Sequence, residues 1–271
     1  PTKEKERMDD EQEIKIIANE DIRAVLEQST ITNTAYPIPL LITLALNTGM
    51  NLIDIGGLQL KHLQYDGNKA CFYIEKRRSK TGVRGRWRLW DETAEMLFSY
   101  ITCIQTFLGR DSLEQQMEDY IFCEHHQIIN KLGATKSVAS HKLGKDGRTY
   151  IKNNLTRPIG RVFSDAGVDG SIRFIRTTGA TAIKNMSLGH QIVYQTFLAH
   201  TPTTMADRKY AQILEDEVMD EYVLKLPVHY GIQEFLPVVK DSFIQSTMER
   251  FQCPRTTIKK NEKKWLSSLI V

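Results

Sequence analysis

The stretch "SIRFIRTTGATAIKNMSLGHQIVYQTFLAH", residues Ser171–His200, decides how the chain around it folds. Its apolar spacing predicts two helices, the second of them short. The sequence that follows, "TPTTMADRKYAQ", carries one tyrosine, Tyr210, ten residues after His200. A tyrosine on a helical segment is ordinarily a packing residue. A chemical role for its hydroxyl therefore depends on what the rest of the chain places beside it.

Three further stretches also predict helices. "ANEDIRAVLEQS" begins with Asn19 as N-cap and has acids in its first turn. "PLLITLALNTG" is almost wholly apolar and predicts a buried helix that ends at Gly49. "DETAEMLFSYITCIQTFL" has an acidic start and amphipathic spacing. Between the last two, "ACFYIEKRRS" and "GRWRLW" flank "KTGVR" and predict a β-hairpin with a basic tip.

The remaining stretches give weaker signals. "DYIFCE" fits a short strand or a buried turn, and "ATKSVASHKLGKDG" predicts a loop. "TYIKNNLTRPIGRVFSDAG" predicts a helix that kinks or restarts at Pro158, and "VVKDSFIQSTMERF" predicts an amphipathic helix in the tail. We therefore predict a mostly helical α+β fold with one small antiparallel sheet. The predicted divisions are an N-terminal linker (1–17), a main domain (18–214) and a C-terminal helical extension (215–271).

Composition excludes several classes of protein. Of the 271 residues, 41% are hydrophobic and 25% are charged, which is typical of a globular protein. No apolar run approaches the ~20 residues of a membrane span, and the charged start "PTKEKERMDDEQE" is not a signal peptide. The four cysteines form no CxxC pair, which indicates free thiols in a reducing, cytoplasmic compartment. "CEHH" lacks a second ligand cluster, so we expect no metal site.

Charge is segregated along the chain although the net charge is only +3. Eight basic residues and one acid lie between Lys69 and Arg88, and nine basic residues and three acids lie between Lys136 and Arg176. This distribution indicates a face that binds a polyanion. The alternative is a set of solvated basic loops without a partner.

Three segments, taken together, point to a family. They are "LALNTGMNLIDIGGLQLKHL", "RRSKTGVRGRWRL" and the stretch from "SIRFIRTTG" through "FLAHTPTTMADRKYAQ". In their order and intervals they resemble the catalytic domain of tyrosine recombinases, the phage-integrase family, over roughly residues 18–212. That family carries a helix ending in TGxR-x-x-E/D, a lysine on a β-hairpin, an HxxR box, and an LGH box about nine residues before a tyrosine.

The resemblance implies roles for individual residues. Tyr210 would be the nucleophile, Lys80 the hairpin lysine, and "RFIR" the HxxR box with Arg176 as its arginine and Arg173 in the histidine position. His200 would take the LGH histidine, with Ala199 in place of glycine. The implied catalytic residues are Tyr210, Arg176, Lys80, His200 and Arg173. The residues expected to bind DNA are Arg77, Arg78, Arg84, Lys142, Lys145 and Arg208.

These residue types suit phosphodiester chemistry. Attack by a hydroxyl places negative charge on the non-bridging oxygens, and an arginine fork can bind two of them. A lysine at a hairpin tip can protonate the leaving 5′ oxygen, and a histidine can donate a hydrogen bond to the phosphate. The tyrosine would form a covalent 3′-phosphotyrosyl link. Rejoining from that link would need no ATP, metal or other cofactor.

Two departures from the family pattern matter most. Asn51 stands where the family has arginine after "TGM", and Arg173 stands where it has histidine; Thr177 also replaces a second histidine of many relatives. Losing one charged donor to the transition state commonly costs ~10²–10³ in rate. Three arginines could substitute for the one missing at position 51, and the sequence does not choose among Arg23, Arg77 and Arg78. We expect Asn51 and Asp54 to be structural residues near the site.

Plainer roles remain open for the other residues. Lys80 would then be a hairpin-tip charge, Arg176 an ion-pair partner of Asp54 or Asp207, and His200 a hydrogen-bonding group at a helix end. The tail helix, with Phe243, Met248 and Phe251 as apolar anchors, could dock on a neighbouring protomer or on its own domain.

The resemblance implies a site-specific recombinase of a mobile element, acting as integrase or transposase in the bacterial cytoplasm or nucleoid. The expected partners are double-stranded DNA, further copies of the chain in a dimer to tetramer on DNA, and accessory DNA-binding proteins. The alternative is a relative that binds DNA without cleaving it, serving as accessory factor or regulator. A type IB-like topoisomerase fits less well, because the boxes are closely spaced. We expect the chain alone, with only about twenty residues before the catalytic region, to bind DNA weakly.

Overall fold

The structure is a computed structural model, which describes residues 15–78, 82–110, 117–124, 128–130, 136–143, 149–200 and 216–268; for 139–143, 149–152 and 262–268 it describes the backbone alone. The first four helices are α1 (Asn19–Ile31), α2 (Ile38–Thr48), α3 (Leu52–Gly56) and α4 (Asp91–Phe107). The later helices are α5 (Thr156–Asp165), α6 (Ile172–Met186), α7 (Gln191–Phe197), α8 (Asp216–His229), α9 (Leu236–Phe251) and α10 (Arg255–Ser268). The strands are β1 (Leu63–Asp66), β2 (Cys71–Arg77), β3 (Arg84–Arg88), β4 (Ala139–Leu143) and β5 (Thr149–Asn153).

Helix α2 is the centre of the fold, and all of its residues are buried. It contacts α1, α4, α6 and α8 and ends at Gly49, whose φ of 61° lies in the left-handed region. A Cβ at Gly49 would come within 2.5 Å of Phe197 Cε1. Glycine is therefore required twice at this position, by the backbone conformation and by the contact with α7.

The main sheet is an antiparallel meander in the order β1-β2-β3. Ile74 at its centre pairs with Leu63 on one side and Trp87 on the other, and all three side chains are buried. The predicted β2–β3 hairpin is confirmed. The prediction of only a short helix and a turn before it was incomplete, because β1 adds a third strand. Leu63 is the single buried residue of β1, so its sequence lacks a clear alternation.

Two predictions in the middle of the chain were wrong. Part of the predicted loop "ATKSVASHKLGKDG" forms β4, which pairs antiparallel with β5 in a second small sheet. Residues Thr149–Asn153 were predicted to be helical, but they form β5, and the helix starts only at Thr156. Pro158 lies in the first turn of α5, where a missing N–H costs nothing, so it produces no kink.

Two smaller details differ from or refine the prediction. Ala18, rather than Asn19, is the N-cap of α1, and the Asn19 amide instead donates to the His229 carbonyl at 2.9 Å. The stretch "DYIFCE" is a buried turn with isolated bridges from Tyr120 to Gln59 and from Cys123 to Ser137.

The helices of the C-terminal extension pack on the same chain. Helix α8 contacts α2, α6 and β3, and α9 contacts α4 along its length. Phe243 of α9 lies 6.4 Å from the ring of Tyr100, and Phe251 lies 5.7 Å from the ring of Phe107. These side chains belong to one continuous core with α2 and α4.

The described part of the chain is α+β and mostly helical with a small antiparallel sheet, which confirms the predicted fold class. Among the described residues, no helix is both long enough and apolar enough to cross a membrane. The same residues contain no group of His, Cys, Asp and Glu side chains arranged to hold a metal ion.

Candidate active site

Segments far apart in sequence meet at the C-terminal end of α2. The turn at Gly49, helix α6 and the residues after α7 are joined through Arg176. Arg78, which directly follows β2, also lies here, because it pairs with Asp54 of α3. The charges of Arg78 and Asp54 both influence the pKa of Arg176. We call Arg78, Arg176, His200 and Asp54 the arginine cluster.

Arg176 is the hub of the arginine cluster. Its guanidinium donates to the Gly49 carbonyl and, at 2.9 Å, to the Leu198 carbonyl. Nη2 also lies 3.1 Å from Nε2 of His200. Burial lowers the pKa of Arg176 to about 10, with a smaller contribution from the like charge of Arg78, while Asp54 opposes the shift. Arg176 therefore remains a cation at neutral pH.

His200 is positioned by the turn that ends α7. Its backbone N–H donates to the Gln195 carbonyl at 2.9 Å, and Ala199 before it has a φ of 45°. Since a guanidinium has only donors, the imidazole accepts from Arg176 at Nε2 and carries its proton on Nδ1. The contact brings together two residues that the sequence motif separates by 24 positions.

Trp87 is a supporting residue that the sequence reasoning missed. Its indole Nε1 donates to the Phe197 carbonyl at 2.7 Å, one residue before the carbonyl that Arg176 binds. Two donors, one from β3 and one from α6, thus fix the last carbonyls of α7. The only signal in the sequence is an aromatic residue on the core face of a predicted strand.

Asn51 serves as the N-cap of α3. Its Oδ1 accepts from the backbone N–H of Ile53 at 3.0 Å and of Asp54 at 2.8 Å. This cap starts a five-residue helix directly after the left-handed turn at Gly49. Asp54 in that helix is buried, and its Oδ2 lies 3.4 Å from Nε of Arg78.

The basic residues of the hairpin have different environments. The Arg78 side chain is only 11% exposed, whereas Arg77 is exposed and donates to the Gly82 carbonyl at 3.1 Å. Arg84 forms a two-point ion pair with Glu75, with both distances 2.6 Å. Lys76 donates to the Asp54 carbonyl at 2.8 Å, and burial lowers its pKa to about 8.

Two other arginines lie apart from the arginine cluster. Arg173 is exposed on α6, one turn before Arg176, and no charged contact is seen for it among the described residues. Arg23 lies on α1 with its guanidinium 5.1 Å from the ring centre of Phe235. Arg23 is thereby engaged elsewhere.

Several predicted site residues lie outside the described residues. They are Tyr210, Lys80, Lys145, Arg208 and Asp207. Lys142 lies on β4, of which the backbone alone is described.

The arginine cluster is suited to binding an anion. Two guanidiniums face one carboxylate, with a neutral imidazole beside them, so positive charge is in excess among these four groups. Arginine forks bind phosphate oxygens in pairs, and partial burial strengthens that interaction.

Neither a protein-family model nor a curated protein matches the sequence. Among solved structures, the chain is similar to the XerH site-specific recombinase bound to difH substrate, with 15% identity over 76% of this chain and a TM-score of 0.48. It is also similar to XerA recombinase (16% identity over 78% of this chain, TM-score 0.44) and to the integrase from mycobacterium phage Brujita (15% over 78%, TM-score 0.42). The chain spans 52%, 63% and 57% of the lengths of these three proteins. At this level the similarity concerns the course of the backbone and not the residues of the site.

Proposed function

We infer that the protein is a tyrosine-type DNA strand transferase that acts as a site-specific recombinase. The observation that carries this inference is the contact between Arg176 and His200 at the turn after α2. The other two motif segments reach the same place, the first through the Gly49 carbonyl and Asp54 and the second through Arg78. An anion-binding cluster at this place is what the proposed chemistry requires.

The proposed reaction exchanges one phosphate ester for another. The Tyr210 oxygen forms a bond to the scissile phosphorus, the bond from phosphorus to the 5′ oxygen breaks, and the phenolic proton is released to solvent. Lys80 donates a proton to the 5′ oxygen as it leaves. Arg176 binds the non-bridging oxygens, and His200 donates to them from Nδ1. The reverse steps join a new 5′ hydroxyl to the same phosphate.

Substrate binding would extend beyond the arginine cluster. Arg77 and Arg84 on the hairpin, Arg173 on α6, and Lys142, Lys145 and Arg208 would contact the DNA backbone. We propose double-stranded DNA as substrate, assembly of two to four copies on it, a role in integration or transposition of a mobile element, and residence in the bacterial cytoplasm. Accessory DNA-binding proteins would complete the assembly.

A trapped covalent adduct tests this function. The 271-residue chain is incubated with a randomised pool of nicked duplexes whose short cleaved strand diffuses away, and SDS-resistant protein–DNA adducts are counted. We expect adducts with the wild type and none with Tyr210→Phe, which retains the ring without the nucleophile. Adducts that persist in the Tyr210→Phe variant, or none with the wild type, would overturn the proposal.

One observation favours the second function, a DNA-binding relative without cleavage. Asn51 is uncharged, so position 51 supplies no cation to the site, and its side-chain oxygen is engaged in capping α3. In that case the chain would bind the same duplexes with a strong salt dependence and form no adduct.

A further inference from the structure

We propose that Arg78 supplies the second guanidinium that binds the scissile phosphate, in place of the arginine that position 51 lacks. This inference rests on the proposed function and assigns a further phosphate-binding residue to it. Of the three arginines that the sequence left open, the structure places only Arg78 in the arginine cluster.

Arg78 is held in the cluster from two sides. Its backbone N–H donates to the Val83 carbonyl at 2.8 Å, which fixes the Arg78 backbone directly after the end of β2. Its Nε lies 3.4 Å from Oδ2 of Asp54, and the two side chains are 11% and 5% exposed. A long cationic side chain is rarely so buried without a partner. Asp54 therefore orients the guanidinium.

The identity of that partner connects Arg78 to position 51. Asp54 lies three residues after Asn51, in the first turn of α3, and its backbone N–H is bound by the Asn51 cap. An arginine at position 51 would extend from the start of this same helix. Arg78, which directly follows β2, approaches the same carboxylate and so brings a guanidinium to the first turn of α3.

The charges of the cluster also favour the binding of an anion. Arg78 and Arg176 are close enough that the charge of Arg78 contributes to lowering the pKa of Arg176. Two partly buried like charges beside one carboxylate repel each other. A phosphate diester between the two guanidiniums would remove that repulsion and could accept from both.

The other two candidate arginines make contacts away from the arginine cluster. Arg23 lies against Phe235, and Arg77 is exposed and bound to the Gly82 carbonyl at the hairpin tip. Lys76, the next cation along β2, donates to the Asp54 carbonyl rather than toward Arg176.

The experiment measures the single-turnover rate of adduct formation at saturating DNA, with a duplex recovered from the nicked pool. We expect Arg78→Ala to lower this rate ~10²–10³-fold, as loss of a charged transition-state donor commonly does. Arg23→Ala, which removes the arginine beside Phe235, should leave the rate within about twofold. Asn51→Arg, placed in the Arg78→Ala background, should restore part of the rate.

A substrate with a methylphosphonate at the cleavage position separates charge stabilisation from a structural role. Replacing one non-bridging oxygen by methyl removes the negative charge, so the defect of Arg78→Ala should shrink to roughly tenfold or less. A defect equally large on both substrates, without rescue by Asn51→Arg, would overturn the inference and leave Arg78 a purely structural residue.

The outcomes also distinguish this inference from the proposed function. If the wild type forms adducts and Arg78→Ala forms them at the same rate, the inference is wrong and the proposed function stands. If the wild type forms no adduct on any duplex of the pool, the proposed function is wrong and the inference falls with it.

Discussion

Ala199 turns the chain through the left-handed region between α7 and His200, with a φ of 45°. The family pattern has glycine at this position, and glycine adopts this conformation without cost. Alanine tolerates it at roughly 1–2 kcal/mol, which the two donors on the preceding carbonyls offset. Residue 199 is therefore a point where side-chain size directly affects the placement of His200.

The first prediction concerns the shape of the side chain at this turn. Ala199→Val should lower the free energy of unfolding by about 2 kcal/mol or more, because β-branched residues are outliers at positive φ. Ala199→Gly is the matched control. Ala199→Gly relieves the backbone strain, but two effects oppose this gain. The more flexible unfolded chain lowers stability by roughly 0.4–1 kcal/mol, and the loss of a buried methyl lowers it by about 0.8 kcal/mol. Its stability should stay within about 1 kcal/mol of the wild type. Urea denaturation measures the unfolding free energies of both variants. A valine variant as stable as the glycine variant would contradict the positive φ at Ala199.

The second prediction concerns the dependence of stability on pH through His62. It lies in the short turn before β1, where its Nδ1 accepts from the Gln59 N–H at 2.9 Å. Burial lowers the pKa of His62 to about 4, and Lys76 and Lys61 add to the shift while Glu118 opposes it. Because of this lowered pKa, the folded state protonates His62 less readily than the unfolded state does. The contribution of His62 to stability is therefore present above pH 6.5. It is lost as the pH falls from 6.5 toward 4.

A comparison with His62→Gln isolates this effect from the carboxylates that titrate in the same range. As the pH falls from 6.5 to 4, the unfolding free energy of the wild type should decrease relative to that of the variant. A difference that does not change with pH would show that His62 titrates normally.

At the scale of elements, α8 is fastened to the main sheet by a buried polar cluster. The Tyr73 hydroxyl donates to Asp220 Oδ2 at 2.7 Å, and the Arg86 guanidinium lies 3.4 Å from the centre of the Tyr73 ring. Arg86 also pairs with Asp216 at 3.4 Å and with Asp220 at 3.8 Å. Helix α8 starts at Asp216, which pairs with Arg86, while His200 contacts Arg176. These are the described residues that flank positions 201–215, where Tyr210 lies in the sequence.

The third prediction compares a buried and an exposed contact of α8. Asp220→Ala should lower the free energy of unfolding by about 2–4 kcal/mol, because it leaves the Tyr73 hydroxyl and Arg86 without their buried acceptor. Glu217→Ala removes the exposed pair with Lys69 and should cost far less than Asp220→Ala, because water screens an exposed ion pair. Chemical denaturation of the two variants tests this; equal losses would mean that α8 is not fastened through Asp220.

The elements predicted correctly from sequence are those with strong local signals. Helix α2 was recognisable from its apolar run ending at a glycine, and the β2–β3 hairpin from its β-forming residues around a basic turn. Strands β1, β4 and β5 were missed because they are short and polar, so their strand character comes from pairing rather than from an alternating pattern. The meeting of Arg176 and His200 followed from motif order. The burial of Arg78 did not, since it depends on how the end of β2 packs on α3.

At the scale of the whole molecule, the C-terminal helices complete the core of the single chain. Phe243 is 3% exposed and lies near Tyr100, and Val239 and Leu236 of the same helix are buried as well. Docking of α9 on its own domain, one of the two alternatives that the sequence left open, is thus the arrangement in this single-chain structure.

The fourth prediction follows from this packing. Phe243→Ala should lower the free energy of unfolding by roughly 3–5 kcal/mol through the cavity it leaves. Gln245→Ala, on the exposed side of the same helix, should change it by less than about 0.5 kcal/mol. If Phe243→Ala were as stable as the wild type, and light scattering showed a mass that falls on dilution only in the variant, α9 would instead dock on a neighbouring copy.

We propose that the Tyr210 oxygen becomes joined to DNA at the arginine cluster. Tandem mass spectrometry of the trapped adduct, after digestion with protease and nuclease, identifies the residue that carries the DNA. We expect a nucleotide 3′-phosphate on Tyr210 and on no other residue. The modification on a different side chain, such as Tyr194 or Tyr222, would contradict it.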